Sequence, residues 1–539
     1  MSLTLEKTKR YDRQIRLWGE NGQIALENAK VCLIGSGCIG TEILKNLILP
    51  GIGSFTIVDD SVVTEEDLSN NFFVQKSDLN QSRAEVTARL LRELNEEVIV
   101  NYIEDSVESL MFRNPEYFLE FSVVIACGLN NKDLVDLDRL LYPENIGLIV
   151  CHSIGMVANL RVIIQEHPVV EAKPDNIKPD LRLDKPLWEF VEFCDSQNLH
   201  EMSYKELAYC PWIIILFKYI TSFQSKFAKW PDSYKDKQIL RKMINEGREE
   251  YLKLCSSKEE LSLSQYLDSF EEAVKSIPTT VFLSEIPINV RTLLEDSRCI
   301  DINRESKSFW ILVAALKDFI RSEGNGSLPL RGDIPDMTAD TGRYVAIQKI
   351  YRQASEKDII HLEKHVYRIC QTFQIPVTDE LNRNSIARFA RNCQHIQILS
   401  SYSLERELKT SPTHTEELVC PETDELSWYL ALRAAVSFYT VERRWPGQRQ
   451  IDSEIDVPHL RKLLQQDMNA CVKFKDASVR DDFLLEMCRF SGVQLHSVCA
   501  FIAGIAAQEV IKLITGQYVP VMQPLMYNAI RQTTNIIDI

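Results

Sequence analysis

The chain has 539 residues, which is too long for a single hydrophobic core and predicts about two to four domains. Its 61 basic residues against 77 acidic ones give a net charge of −16, which disfavours general binding to the phosphates of nucleic acids. We see no signal segment and no apolar run long enough to cross a bilayer, so we expect no membrane association. The 14 cysteines form no C-x-x-C pair, which predicts reduced thiols in the cytosol or nucleus.

A basic and aromatic segment comes before the first predicted strand. Residues 9–19 read KRYDRQIRLWG, and a helical pattern follows to about residue 30. In one interpretation this is a solvated helix whose Tyr11, Ile15 and Trp18 cover an edge of a sheet. In the other it is an arm that delivers a guanidinium to a phosphate bound by another protein.

The next stretch predicts a β-α-β unit with a glycine loop. An apolar run at residues 31–34 leads into GSGCIG at residues 35–40, an amphipathic helical pattern, and a second apolar run that ends at Asp59. Gly35 would permit the tight turn, Gly37 would let the backbone approach a phosphate, and Gly40 would let the helix pack on the strand. Asp59 is placed to accept a ribose hydroxyl. These features indicate a nucleotide-binding fold without specifying the nucleotide.

Strands and helices continue to alternate after this unit. A helix at residues 81–95 and strands near 98–102, 121–126 and 148–151 predict a doubly wound parallel sheet. Helical periodicity then dominates for some three hundred residues. Seven clear helices are predicted there, at residues 212–226, 235–254, 259–275, 308–322, 358–373, 400–408 and 424–439.

Mixed α/β character returns near the end of the chain. An alanine-rich helix from about residue 498 and a strand at 525–527 are predicted to rejoin the first sheet, with Ala500, Ala503, Gly504, Ala506 and Ala507 lying close against it. The predicted organisation is an α/β domain at residues 1–167, an inserted helical domain at 168–490, and a closing segment at 491–539. We expect an α/β fold with a large, mainly helical insertion.

Several motifs together resemble one family. Residues 11–19 (YDRQIRLWG), the glycine loop, residues 51–54 (GIGS) and residues 506–512 (AAQEVIK) are similar to adenylating enzymes that activate ubiquitin-like modifiers, which have a Rossmann-like fold of the ThiF/MoeB type. Residues 167–171 (HPVVE), 180–186 (DLRLDKP) and 335–339 (PDMTA) narrow the resemblance to regulatory subunits of neddylation activating enzymes, which include the plant auxin-resistance protein. The resemblance implies three partners: a separate catalytic subunit in a heterodimer, a ubiquitin-like modifier and a conjugating enzyme.

The resemblance also implies that the nucleotide site is degenerate. The family adenylates the C-terminal glycine of a modifier with Mg-ATP and passes it to a cysteine, and active members carry an arginine, a lysine and an aspartate that hold the phosphates and metal. At the corresponding positions this chain has Asn70, Arg83, and Leu129 or Asn130. We therefore expect no cofactor or metal in this chain, with ATP and magnesium bound by the catalytic partner. The residual site would consist of Gly35, Gly37, Gly40, Asp59 and Arg83.

Two explanations of the intact glycines stay open at this point. They could serve only the packing of the helix on the sheet, or they could bind a nucleotide that is not used for adenylation.

By the same resemblance, Arg13 is the catalytic contribution of this chain, since it would reach in trans into the partner's ATP site. The helical insertion would shape a groove for the modifier or the conjugating enzyme. We expect partner contacts at Trp212 and along residues 336–348, with core packing of Met337 and Tyr344 as the alternative. The predicted partner-binding residues are Trp212, Asp336, Met337, Thr338, Ala339, Asp340, Arg343, Tyr344 and Gln348.

No second chemistry is indicated by the cysteines and histidines. Cys255, Cys299 and Cys370 have no nucleophile motif beside them, and we expect buried thiols. His361 and His365 share a helix face without a third ligand, which favours a solvated face over a metal site. The competing functions are a self-sufficient adenylating enzyme, a nucleotide-dependent oxidoreductase, a binding scaffold, or a regulatory subunit for another modifier.

Overall fold

The computed structural model describes residues 4–254, 268–409, 424–448, 453–470 and 479–538. The chain forms two units: unit 1 comprises Met1–Val169 and Ile398–Ile539, and unit 2 comprises Val170–Gln397. Unit 1 contains the sheet and the glycine loop, and unit 2 is built from helices.

Unit 1 is organised around an eight-stranded sheet in the order β10-β9-β6-β5-β4-β1-β2-β3. Strands β5, β4, β1, β2 and β3 are parallel, and β6, β9 and β10 extend the sheet with antiparallel pairings. The strands are β1 (Lys30–Ile34), β2 (Ser54–Val58), β3 (Ile99–Ile103), β4 (Val123–Cys127), β5 (Gly147–Ile154), β6 (Val157–Ile163), β7 (His167–Val169), β8 (Gln397–Leu399), β9 (Leu525–Asn528) and β10 (Thr533–Ile536). The prediction of a doubly wound α/β fold is confirmed. β7 and β8 form a separate two-stranded sheet.

The helices of unit 1 cover this sheet and its neighbouring core. They are α1 (Leu5–Arg10), α2 (Asp12–Asn28), α3 (Cys38–Ile48), α4 (Glu65–Asn70), α5 (Arg83–Arg92), α6 (Val107–Arg113) and α7 (Asn131–Leu141), followed after unit 2 by α18 (Leu404–Lys409), α19 (Asp424–Glu442), α20 (Ser453–Ala470), α21 (Asp481–Phe490) and α22 (His496–Thr515).

The C-terminal helix and strand rejoin the first sheet, as predicted. α22 packs along α3, with Ala503, Ala506 and Ala507 buried in the core that the two helices share. β9 then pairs with β6. Among the described residues α22 is the one helix long and apolar enough to cross a bilayer, and half of its most apolar window is buried within the protein. Packing against α3 and the sheet accounts for that composition.

The predicted end of the helical insertion at residue 490 differs from the structure, which ends unit 2 at Gln397. Helix α19 belongs to unit 1: its Leu430, Ala431 and Ala435 share a hydrophobic core with Ile154 and Met526 of the sheet. Helical periodicity reports that a segment is a helix with buried faces, but it does not report which core those faces enter. The hydrophobic period of the sequence therefore could not predict where the helical insertion ends.

Unit 2 has a helical core of its own. Its helices are α8 (Trp188–Asp195), α9 (Tyr204–Ala208), α10 (Trp212–Phe227), α11 (Tyr234–Leu254), α12 (Asp268–Thr280), α13 (Ile288–Glu295), α14 (Ser297–Ile300), α15 (Ser308–Arg321), α16 (Thr341–Phe373) and α17 (Arg383–Asn392). Phe190, Phe217 and Tyr351 meet edge to face in the core. The helix predicted at 358–373 is the second half of the 33-residue helix α16, which begins at Thr341. The predicted helix at 259–275 lies partly outside the described residues.

Candidate functional site

The glycine loop has the conformation expected of a phosphate-binding turn, and packing accounts for two of its three glycines. Gly35 has φ +85°, and a Cβ there would lie 2.4 Å from the carbonyl oxygen of Cys127. A Cβ on Gly40 would lie 2.3 Å from the carbonyl oxygen of Gly35. At Gly37, the N-cap of α3, the nearest atom would be Gln494 Oε1 at 3.8 Å. Sheet-helix packing therefore requires Gly35 and Gly40, whereas Gly37 faces open space.

A cavity of about 340 Å³ opens in front of this loop. Besides the glycines and Arg83, its lining includes Tyr439, Trp445 and Gln494, which come from the last third of the chain. The rings of Tyr439 and Trp445 stack with centroids 4.6 Å apart. Sequence reasoning missed these residues because they lie about four hundred positions beyond the loop and belong to no pattern shared with it.

Asp59 is buried at 6% exposure, and its carboxylate is occupied by groups of the protein itself. Oδ2 accepts from the backbone N–H and the hydroxyl of Ser36, both at 2.7 Å, and from Arg83 Nε at 2.9 Å. Oδ1 accepts from Arg83 Nη2 at 3.2 Å and from the backbone N–H of Ser61 at 3.0 Å. Both oxygens that we predicted to accept a ribose hydroxyl thus already have donors.

The electrostatics of this pair favour the charged forms. Burial raises the pKa of Asp59, but the Arg83 guanidinium and the Ser36 donors outweigh it and hold the pKa below its ordinary value. Burial lowers the pKa of Arg83, yet Asp59 and Asp67 together keep it raised. The pair therefore remains an ion pair at neutral pH.

Arg83 is shared by a second carboxylate. Its Nη1 donates to Asp67 Oδ1 at 3.3 Å, while Asp67 Oδ2 caps helix α4 by accepting from the backbone N–H and the hydroxyl of Thr64. Asp59, Arg83 and Asp67 therefore carry one positive charge against two negative ones. This cluster, the Asp59–Arg83–Asp67 cluster, offers no surplus positive charge to a triphosphate.

The other positions expected to be degenerate take part in local structure. The backbone carbonyl of Asn70 accepts from the Cys38 thiol at 3.0 Å. Asn130 caps α7 by accepting from the backbone N–H of Asp133 at 3.1 Å, and its amide donates to the Asp133 carboxylate at 2.6 Å. The carbonyl of Leu129 lies 2.9 Å from His152 Nε2. The side chains of Asn70, Leu129 and Asn130 carry no charge, so these three positions offer neither a carboxylate to magnesium nor a cation to a triphosphate.

The N-terminal arm, residues 4–19, is anchored to unit 1 on both sides of Arg13. Tyr11 is 2% exposed and its hydroxyl accepts from Asn95, while Trp18 is 6% exposed and its indole donates to Gln23 at 3.1 Å. Near the other end of the chain, Gln517 donates to the carbonyl of Trp18 at 2.8 Å. Tyr11 and Trp18 are therefore buried against unit 1, and the covering of a sheet edge by these residues stays a prediction.

Arg13 itself lies on the exposed surface of the arm. Its side chain is exposed and makes no hydrogen bond or ion pair with any residue that the structure describes. Arg16, one turn further on, pairs with Asp12 at 2.9 Å. The arm thus combines a fixed backbone with one uncommitted guanidinium.

The predicted partner-binding residues divide between surface and core. Trp212 is 5% exposed inside the core of unit 2, so its indole has no surface for a partner, and the prediction for this residue is corrected. The residues of the first turn of α10, which begins directly after Pro211, are all buried.

The remaining predicted contacts lie at the start of α16 and are still a prediction. Asp340 caps the helix by accepting from the backbone N–H of Arg343, whose guanidinium returns to Asp340 at 3.0 Å and donates to Gln197. Tyr344 donates to Asp336 at 3.4 Å, and Met337 packs against the core of unit 2. Asp336 and Thr338 are exposed, whereas Ala339 and Gln348 are half-buried.

The cysteines and histidines outside the glycine loop show no catalytic arrangement in the described ranges. Burial raises the pKa of Cys299 to about 11 and also raises the pKa of Cys370, so both stay thiols. Cys255 lies outside the described residues. His365 pairs with Glu323 at 2.8 Å, and among described residues no group of three metal-ligating side chains occurs.

The family model and the curated relatives that match nearly the whole chain agree with the motifs. The model of the ThiF family matches residues 11–538. The NEDD8-activating enzyme E1 regulatory subunit of Gallus gallus is 39% identical over 533 residues, which cover 98% of this chain and 97% of that protein. The NEDD8-activating enzyme E1 regulatory subunit AXR1 of Arabidopsis thaliana is 33% identical over 543 residues, covering 99% of this chain and 97% of that protein. A crystal structure of E. coli MccB is similar over 28% of this chain and 44% of that chain, with 21% identity and a TM-score of 0.26.

Proposed function

Because the chain belongs to the ThiF family and, within it, to the NEDD8-activating enzyme E1 regulatory subunits, we propose that it works without an active site of its own. It pairs with a catalytic subunit that binds Mg-ATP and NEDD8. The catalytic subunit joins the C-terminal carboxylate of NEDD8 to AMP, releases pyrophosphate, and transfers the modifier to its own cysteine. This chain stabilises that subunit and supplies Arg13 to it.

The Asp59–Arg83–Asp67 cluster is the single observation that carries this proposal. A site that adenylates must hold three phosphates and a metal, and it needs surplus positive charge to do so. Among the described residues that line the cavity, Arg83 carries the one guanidinium, and two carboxylates neutralise it at 2.9 Å and 3.3 Å. Releasing Arg83 for a phosphate would leave Asp59 buried and unpaired, which costs several kcal/mol. The cluster therefore favours a structural role for the loop.

Arg13 meets the physical requirements of a residue that acts in trans. A guanidinium that stabilises charge on a phosphate in another subunit must be exposed, free of internal carboxylates, and fixed by a rigid backbone. Anchoring of the arm by Tyr11 and Trp18 supplies the rigidity. Of the other arginines in the arm, Arg10 donates to Asn95 and Arg16 is paired with Asp12, which leaves Arg13 as the candidate.

Other parts of the proposal concern unit 2 and the surroundings of the protein. The residues around the start of α16 would contribute to a groove for the modifier or for a conjugating enzyme.

We propose a cytosolic or nuclear location, with no nucleic-acid or membrane partner, on the basis of the charge of −16 and the reduced cysteines.

The test is Arg13→Ala in the heterodimer with the catalytic subunit. We expect assembly, followed by size-exclusion chromatography, to be unchanged, and ATP–pyrophosphate exchange in the presence of NEDD8 to fall about 10³-fold, the lower end of the range for arginines that act in trans. Arg16→Ala is the matched control, since it removes the same charge from the same arm. If Arg13→Ala exchanged as fast as Arg16→Ala, the role of Arg13 would be disproved.

A further inference from the structure

Unit 2 contains a cleft of about 410 Å³ that the proposed function does not use. Four separate segments line it, at residues 176–182, 282–287, 327–328 and 394–395. It shares no residue with the cavity of the glycine loop. Its volume is within the range of about 300–1,000 Å³ that is typical of ligand sites.

The segment at residues 180–186 (DLRLDKP), which the sequence analysis singled out, holds two of the other walls in place. Asp184 accepts from the backbone N–H of Ser284 at 2.7 Å and from its hydroxyl at 2.5 Å. Arg182 donates to the carbonyl of Leu328 at 2.5 Å. Two loops that lie about 100 and 150 residues away along the chain are therefore fixed by charged side chains of one short segment.

The same segment carries backbone strain at the cleft. Arg182 has φ +48°, which is the left-handed region and is uncommon for a residue with a long side chain. Its guanidinium pairs with Asp180 at 3.3 Å, and Asp180 also accepts from the backbone N–H of Arg331 at 3.2 Å. Strain of this kind persists where surrounding contacts over-determine it, and it clusters at ligand clamps.

The walls of the cleft differ in chemistry. One wall is apolar and comprises Phe282, Leu283, Ile286 and Pro287, and Leu283 is 44% exposed. The lining also contains two side-chain amides, Asn176 and Gln394, which have no hydrogen-bond partner among the described residues. The amide groups of asparagine and glutamine each donate and accept, which is also the pattern of a peptide backbone.

Of the charged side chains at the rim of the cleft, those that form ion pairs within the chain are distinguished from Lys178, which does not. Glu285 lies 3.6 Å from Arg291, and Arg182 is paired with Asp180. Lys178 has no ion pair with any described residue, and its ammonium lies 5.2 Å from the centroid of the Phe282 ring. A cation that has no carboxylate partner among the described residues therefore lies against the apolar wall.

We propose that this cleft binds an extended peptide segment of a protein partner that presents an apolar side chain next to a carboxylate. The apolar side chain packs on the wall formed by residues 282–287, and the carboxylate pairs with Lys178. The peptide backbone pairs with Asn176 and Gln394. The inference goes beyond the proposed function, since neither Arg13 nor the glycine loop takes part.

The experiment measures binding of blocked dipeptides to the full chain by saturation-transfer NMR. The probe is N-acetyl-Asp-Phe-N-methylamide, and N-acetyl-Asn-Phe-N-methylamide is its uncharged counterpart. We expect saturable binding of the Asp-Phe probe, and Lys178→Met should weaken it about threefold without affecting the Asn-Phe probe. Leu283→Asp should weaken both probes at least about tenfold.

Lys185→Met is the matched control, because it removes the same charge from an exposed lysine that does not line the cleft. Circular dichroism of each variant checks folding, and the changed side chains are exposed. Absence of saturable binding would overturn the proposal, as would an equal effect of Lys178→Met and Lys185→Met. Equally tight binding of 3-phenylpropanoate would assign the cleft to small acids instead of peptides.

Discussion

The glycine loop and the N-terminal arm each present a guanidinium, and the two differ in what surrounds it. Arg83, in front of the loop, is held between Asp59 and Asp67. Arg13, on the arm, is exposed and has no partner among the described residues. The first charge stabilises the fold of this chain, while the second is available to another molecule. Internal pairing therefore distinguishes a guanidinium that serves the fold of this chain from one that is exposed to other molecules.

Arg83→Leu tests whether the paired guanidinium stabilises the fold, and it has the largest expected effect on stability. Removing the guanidinium leaves Asp59 buried without its counter-ion, which should lower the free energy of unfolding by about 3 kcal/mol. Chemical denaturation of the full chain measures the effect. Arg92→Leu, on the exposed face of the same helix, is the control and should stay within about 0.5 kcal/mol of the wild type.

A second variant separates loss of charge balance from loss of packing. When Asp59→Asn is combined with Arg83→Leu, no buried charge is left unpaired, so part of the lost stability should return. An effect of Arg83→Leu no larger than that of Arg92→Leu would show that the cluster does not hold the site, and the comparison with Arg13 would lose its basis.

Substitutions of two loop glycines test whether the loop serves packing, and their expected effects on stability are smaller. Gly40→Ala places a Cβ 2.3 Å from a backbone oxygen and should destabilise the chain by about 1–3 kcal/mol. Gly37→Ala meets no atom closer than 3.8 Å and should cost less than about 1 kcal/mol. Thermal unfolding of both variants checks the ranking. Should Mg-ATP stabilise the wild type and not Gly37→Ala, the loop would be a working phosphate site and the comparison would fail.

A further prediction concerns a buried carboxylate that pairs with no guanidinium among the described residues. Burial raises the pKa of Asp138 to about 6, despite backbone N–H donors from Glu405 and Leu404. A carboxyl whose folded pKa exceeds its unfolded value stabilises the fold at low pH, and this contribution is lost as pH rises from about 4 to 6. Asp59, whose pKa is lowered, has the opposite dependence: its contribution is lost as pH falls.

Asp138→Asn should therefore stabilise the protein by about 1–2 kcal/mol at pH 7.5 and by less at pH 5. Denaturation midpoints of the variant and the wild type at the two pH values give the comparison. An equal gain at both pH values would mean that the titration of Asp138 is not the cause.

Much of the fold followed from local patterns in the sequence. The β-α-β unit around the glycine loop and the return of α22 and β9 to the first sheet were predicted because short apolar runs and small residues have a definite period. The end of the insertion was not, because α19 is buried on most of its surface and periodicity does not identify the core it enters. Likewise, β6 was not predicted as a separate strand. It follows β5 after a turn at Gly155, and the apolar residues of the two strands form one nearly continuous stretch in the sequence.

The site was predictable only in its residue types. Gly35, Gly40, Asp59 and Arg83 do meet in front of the loop, but their mutual pairing depends on distances that no spacing rule provides. The prediction for Trp212 was wrong for the same reason, since the sequence alone does not show which residues tertiary packing buries. A tryptophan at a helix start suggested an interface, and tertiary packing placed it in a core.

Pyrophosphate exchange by the chain alone tests the central claim most directly. The purified chain is incubated with Mg-ATP, labelled pyrophosphate and NEDD8, first by itself and then with the catalytic subunit. Our account predicts exchange at the level of the protein-free blank for the chain alone, and exchange only after the catalytic subunit is added. Exchange by the isolated chain above that blank would contradict it, because the Asp59–Arg83–Asp67 cluster would then have to release its guanidinium to a phosphate.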